Sequence, residues 1–277
     1  MRLRLIAFIV AAVHFMPGMY GQRNLDIGIC YGVTHYMGDL HRNPVEVLEF
    51  NKALGLMLRY NHNNILALRL QFLQGALSGS DANYPTIEAA RLRNLSFRSP
   101  LYESSLHLEC SFMNFGIRRH HVSRRLISYR ASAYLSAGIA GFYFNPRTLY
   151  QDSWVELQPL GTEGQGLPGY ADKYNRFQLA VPVGIGFKIK PGDRSSFGLT
   201  FGYRHTFTDY LDDVSGNYPD LQQLYQLNPM AAQLSCRTEG GAAPDNPAVS
   251  DQRGSNSGND HYFFAGCTLA ITLGQQR

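Results

Sequence analysis

Glu103, Ser105 and His107 are the residues in this chain whose types and spacing could do nucleophilic chemistry. A serine nucleophile needs a base to take its proton and a carboxylate to orient that base, and alternate positions of one strand point the same way. Three common polar residues are also what one face of a strand ordinarily carries, so the spacing alone assigns no catalysis. Asp209, Asp212 and Asp213, followed by Gly216, could offer oxygens to Ca²⁺. Their spacing departs from the calcium-loop pattern, and a strand exit with solvated acids and a turn accounts for them. His120 and His121 could ligate a metal, but Arg118, Arg119, Arg124 and Arg125 surround them with a positive field that opposes a cation. The reading there is a basic turn that docks a partner or meets lipid headgroups. The chain is therefore read as non-enzymatic, with no catalytic, metal or cofactor-binding residue and no small-molecule substrate, and the four arginines form the candidate partner-binding set.

These side chains act only where the backbone puts them, and the backbone pattern is β throughout. From 175 to 210 the chain reads as one long hairpin. Phe177, Leu179, Val181, Val183, Ile185, Phe187 and Ile189 alternate with Gln178, Ala180, Pro182, Gly184, Gly186 and Lys188, and 197–207 repeats the scheme. Each arm so has one apolar face and one face of glycine, hydroxyl and charge. Lys190-Pro191-Gly192-Asp193 makes the turn between them. Arms this long exceed a soluble strand and suit a tilted membrane span of about 9–11 residues. Six further alternating segments, near 25–34, 54–60, 66–72, 103–112, 129–139 and 265–273, bring the count to eight strands. The links after odd-numbered strands are long, including 76–98, 145–173 and 211–260; those at 61–64, 117–125 and 190–193 are short. Long external loops alternating with short periplasmic turns is the outer-membrane barrel pattern, and it puts the short turns and both chain termini in the periplasm.

The fold class expected is all-β: an eight-stranded antiparallel transmembrane β-barrel of outer-membrane type with long external loops. Residues 1–21 read as a signal peptide, with Arg2 and Arg4 before an apolar run, and 22–277 as the barrel domain. Without Arg2 and Arg4 there remain 23 basic and 21 acidic residues, a net of +2 that gives no reason to expect nucleic acid. A soluble lipid carrier also has eight strands but turns its apolar face inward and washes the other in solvent. The polar face here is rich in glycine (Gly28, Gly32, Gly55, Gly138, Gly184, Gly186, Gly198, Gly202) and sparse in charge, which suits a narrow lumen. Arg59, Arg69, Arg130, Lys188 and Arg204 share that lumen with Glu103 and Glu109, and the expectation is a plug of paired charges rather than a conducting pore. Cys30 falls on the inner face, Cys110 and Cys267 on the outer, and Cys236 in a loop, so free, packed cysteines are expected.

Four segments carry more than barrel chemistry: Tyr36-Met37-Gly38-Asp39-Leu40, Arg93-Asn94-Leu95-Ser96-Phe97-Arg98-Ser99, Leu157-Gln158-Pro159-Leu160-Gly161-Thr162-Glu163-Gly164-Gln165-Gly166, and Thr206-Phe207-Thr208-Asp209-Tyr210-Leu211-Asp212-Asp213-Val214-Ser215-Gly216. On these the chain closely resembles the PorG family of outer-membrane barrels from Bacteroidota; the stretch 220–260 departs from the family pattern. The resemblance implies a component of the type IX protein secretion system at the outer membrane, anchoring or positioning a periplasmic ring built by a PorK-like lipoprotein and its PorN-like partner. It implies no catalytic residue. A lipid-modifying barrel enzyme and a structural OmpA-like surface barrel are the alternatives.

Overall fold

Alternation makes each strand two-faced, and two-faced strands bury their polar groups only by closing into a ring. The computed structural model describes residues 24–41, 49–122, 125–191, 194–237, 252–255 and 258–273; the signal segment expected at 1–21 lies outside them. Eight strands form the ring: β1 (Asn24–Met37), β2 (Asn51–Asn61), β3 (Leu66–Ser80), β4 (Ser96–Val122), β5 (Arg125–Phe144), β8 (Phe177–Pro191), β9 (Ser195–Thr206) and β10 (His261–Leu273). Every neighbour is antiparallel, β1 pairs with β10, and β3 with β4 completes the closure. A short hairpin, β6 (Arg147–Tyr150) and β7 (Ser153–Glu156), continues the sheet from the start of β4. Among the described residues three short α-helices lie in the long loops: α1 (Glu88–Arg93), α2 (Leu221–Leu227) and α3 (Pro229–Ser235). Among the described residues no helix is long and apolar enough to cross a membrane.

The faces fall as the alternation predicts. Phe177, Leu179 and Ile139 point outward and are each 67–69% exposed, within a belt that includes Ile29, Leu56, Leu108, Val183, Leu199 and Leu269. Asp26, Arg59, Arg69, Glu103, Glu109 and Arg204 point inward and are buried. Hydrocarbon is the solvent that suits such an exterior, and the arrangement is the inverse of a soluble carrier. The lumen is filled by close approach. The Tyr134 ring lies over Gly186, where any Cβ would collide with it, and its hydroxyl meets Thr200 Oγ1 at 2.9 Å.

Several boundaries differ from the sequence expectation: Lys190 and Pro191, expected in a turn, end β8, and the expected loop 145–173 holds the β6–β7 hairpin. Positions 76–80 and 96–98, expected in a loop, belong to β3 and β4, which pair from Leu66↔Cys110 up to Ser80↔Ser96. The turn expected at 117–125 is shorter: β4 runs to Val122 and β5 starts at Arg125. The turn at 61–64 is as expected, with Asn63 Oδ1 accepting from the amides of Ile65 and Leu66 at 2.8 and 2.7 Å.

Candidate functional site

The lumen holds two charge clusters. In the lower one, toward the short turns, Glu109 sits between two arginines. Arg59 Nε and Arg69 Nε approach its oxygens to 2.9 and 2.8 Å, with all three side chains no more than 3% exposed. Those two contacts are electrostatic, since the Nε–H vectors miss the carboxylate; Arg59 Nη2 donates the hydrogen bond, to Oε1 at 3.2 Å. Arg69 Nη1 donates to Gln71 Oε1 at 2.8 Å. Asp26 lies 3.8 Å from Arg59 and 3.6 Å from Lys190 and accepts from Thr272 and Asn61. In the upper cluster Glu103 accepts from Arg204 Nε at 3.1 Å, Tyr262 at 2.9 Å and Ser105 at 2.7 Å. Lys188 stands 5.9 Å from the Tyr134 ring rather than in a carboxylate pair, and Arg130 is exposed at the short-turn end, outside the plug.

This geometry decides what Ser105 can do. The hydroxyl donates to Glu103, so His107 Nε2, 3.0 Å from Ser105 Oγ, meets the oxygen as a donor and is not placed to take its proton. Glu103 is committed to Arg204 and does not orient the imidazole. Three residues spaced like a nucleophile, orienter and base thus form a link in the plug.

Above the plug the described parts of the long loops fold into one cap over the mouth. Its apolar layer joins Tyr36, Leu40, Leu77, Leu95, Phe97, Leu101, Phe142, Leu157, Leu211 and Val214. Two buried arginines tie the loops to one another. Arg93 from α1 grips Asp81 through Nε and Nη2 at 2.9 and 2.8 Å and donates to the carbonyls of Asp39 and Arg253. Arg253 reaches Glu163 at 2.8 Å and the carbonyls of Asp213 and Ser235. All four segments that carry the family resemblance meet in this cap.

Asp212 and Asp213, expected as solvated acids at a strand exit, are buried in it, 1% and 0% exposed. They were misplaced because their partners lie far off in sequence: Asp212 accepts from Tyr36 at 2.6 Å and Asp213 from Tyr174 at 2.7 Å and from Thr162. Tyr36 has one proton for two carboxylates, the second being Asp260 Oδ1 at 3.2 Å. Burial holds Asp212 and Asp260 well above the usual carboxylate range, and the charge of Asp212 adds to the effect on Asp260. Burial also raises Asp213, to about 6 against the opposing charge of Arg253, and Asp209, to about 7.

At the other end β4 and β5 outrun their neighbours. Among the described residues β4 pairs with β3 only as far as Cys110, and β5 pairs with β8 only from Tyr129. Beyond these points the two strands pair with each other, to Val122↔Arg125, as a two-stranded ribbon. Arg118, Arg119, His120, His121 and Arg125 belong to this ribbon, and Arg124 lies outside the described residues. Cys30, Cys110 and Cys267 carry free thiols, with Cys30 buried in the lumen and Cys110 exposed on the outer face. The sequence reading also missed Asp26, the Tyr134 stack and a group at the rim, His35, His41 and Glu49, whose ligand atoms lie within 4.8 Å of one another.

An eight-stranded ring, apolar outside and ion-paired inside, is a transmembrane barrel of the outer-membrane type. The chain belongs to the family described as a domain of unknown function, DUF6089, whose model matches residues 3–230. Similar solved structures include the N-terminal β-barrel domain of OprF from Pseudomonas aeruginosa, at 12% identity and a TM-score of 0.37, covering 91% of this chain and 99% of that one. Ail, the attachment invasion locus protein of Yersinia pestis, is another, at 10% identity and a TM-score of 0.38, with 91% and 99% covered. No curated protein matches.

Proposed function

We propose that this barrel is a non-enzymatic, outer-membrane component of a type IX secretion machine of the PorG kind, and that it holds the periplasmic lipoprotein ring through the β4–β5 ribbon. The observation that carries the reading is the ribbon itself: two strands continue past the short-turn end of a barrel whose lumen is plugged and whose mouth is capped. A plugged lumen offers no conduit, so what remains for function is surface. Ser105 lacks a base, which leaves the lipid-enzyme reading without a nucleophile. The ribbon bears Arg118, Arg119 and Arg125, with Arg124 between the strands in sequence, and extends where a ring on lipid-anchored subunits, a PorK-like lipoprotein with its PorN-like partner, would lie.

Exposed charge pairs contribute about 0.2–1 kcal/mol each, so one substitution does little. Reversing Arg118, Arg119, Arg124 and Arg125 to glutamate together is expected to abolish co-purification with the ring lipoprotein and to block cargo export, while the barrel still inserts and keeps its heat-resistant fold. Retention of both association and export in that variant would overturn the proposal.

A further inference from the structure

His35 is an outward residue of β1, the face that meets hydrocarbon elsewhere along the strand, yet it is fully buried. His41, Phe50 and Phe263 cover it. Its ring stacks on Phe50 at 4.7 Å, packs beside Phe263 of β10, and stands edge-on to the His41 ring. The two imidazoles present the same nitrogen to each other, Nε2 to Nε2, at 3.5 Å. His41 Nδ1 meets Glu49 Oε2 at 3.0 Å, and those two side chains are 6% and 2% exposed. The other oxygen of Glu49 accepts from Asn83 Nδ2 at 2.9 Å and the Ser80 amide at 3.3 Å.

The facing imidazoles and the His41–Glu49 contact have the chemistry of a metal-binding histidine pair. A carboxylate accepting from Nδ1–H fixes the tautomer whose Nε2 carries a free lone pair, and it raises the basicity of that nitrogen. Two imidazole nitrogens bound at about 2.0–2.1 Å to one tetrahedral ion stand about 3.3–3.4 Å apart, close to the separation found here. Glu49 brings a buried negative charge whose partners among the described residues are an imidazole, an amide side chain and a backbone N–H, with no lysine or arginine in ion-pair range. A buried charge of that kind calls for a cation.

We propose that His35 Nε2 and His41 Nε2 bind a divalent first-row transition metal of the imidazole-preferring class, Zn²⁺, Cu²⁺ or Ni²⁺, with Glu49 orienting His41 and supplying the compensating charge. The ion pins His41, just past the end of β1, to the outer wall at the long-loop rim, where β1 meets β10. It performs no chemistry in the lumen and is independent of the secretion role.

The test is zinc titration of the full-length mature barrel, stripped with chelator in detergent and followed by calorimetry, with folding of each variant checked by the heat-dependent gel shift of intact barrels. One equivalent is expected to bind. His35→Asn and His41→Asn should each weaken binding at least 100-fold, and Glu49→Gln about 10–100-fold, the usual cost of losing an orienting partner. His205→Asn and His261→Asn, at a neighbouring stretch of the rim where those two rings lie 4.9 Å apart, should leave it unchanged. Absence of zinc binding would mean that the imidazoles share a proton, and binding that survives His35→Asn but is lost in the rim variants would place the ion elsewhere. Either result overturns the proposal.

Discussion

Glu109→Gln tests the plug. The substitution keeps the shape of the side chain and removes one negative charge from between two guanidinium groups. Arg59 retains Asp26 at 3.8 Å, whereas Arg69 is left with the neutral Gln71 oxygen at 2.8 Å. Both arginines are at most 3% exposed, so water cannot take over the charge. Stranding a buried charge in this way costs about 3–5 kcal/mol, and most of that cost falls on Arg69. Chemical denaturation in lipid vesicles, read from the gel mobility of the folded barrel, should show a loss of that size. Adding Arg69→Gln to Glu109→Gln should restore more than half of it, because the stranded cation is gone. A loss under about 1 kcal/mol, or a further loss in the double variant, would refute the reasoning. Neither variant should conduct in planar bilayers, since Glu103, Arg204 and Tyr262 close the lumen at a second level.

Val183→Arg places a charge on the hydrocarbon face at a position paired with Ala137 and Tyr203, and should destabilise the barrel by about 2–4 kcal/mol in the same denaturation assay. Gly38→Ala should open the cap without unfolding the barrel, because a methyl there collides with the Asp260 carboxylate and the Tyr36 hydroxyl; limited proteolysis of the long loops with an unchanged heat-shift reads it directly. The cap should also respond to pH. Asp213 and Asp209 titrate at about 6 and about 7 in the folded protein, above their ordinary value near 3.8, so the folded state holds protons that the unfolded state has released. Their stabilising contribution is complete below about pH 3.8 and is lost as pH rises through 6 to 7. Hydrogen exchange of the 210–214 amides, corrected for intrinsic rate, should show more frequent opening at pH 8 than at pH 4.5.

The membrane-spanning part of the barrel was legible because one physical rule holds along it: apolar residues out, small or charged residues in. The rule fails above the belt. On β3 the inward residues change from Arg69 and Gln71 to Leu73 and Leu77, and on β4 Phe97 and Leu101 point inward while Arg98 points outward. The lining is apolar there because the cap supplies its core, and a reader following polarity sees the strand end where only its partner changes. The plug was legible in its members and not in its pairing. Glu109 and Glu103 were expected on the inner face, but which arginine each meets depends on barrel register. The buried acids were unreadable for a related reason: Asp212 and Asp213 look like a solvated turn until Tyr36, Thr162, Tyr174 and Arg253 are brought to them. The rim histidines gave no signal, since His35 and His41 fall on a strand face and a loop with no motif spacing.

The proposed contact between ribbon and ring is tested most directly by photocrosslinking in cells. A benzoylphenylalanine residue replacing His120 on the ribbon, with a control replacing Asn63 in the turn between β2 and β3, would be irradiated and its adducts identified by mass spectrometry. The account predicts an adduct from position 120 to the ring lipoprotein and a much weaker one from position 63. Crosslinks to the ring from position 63 with none from 120 would contradict it.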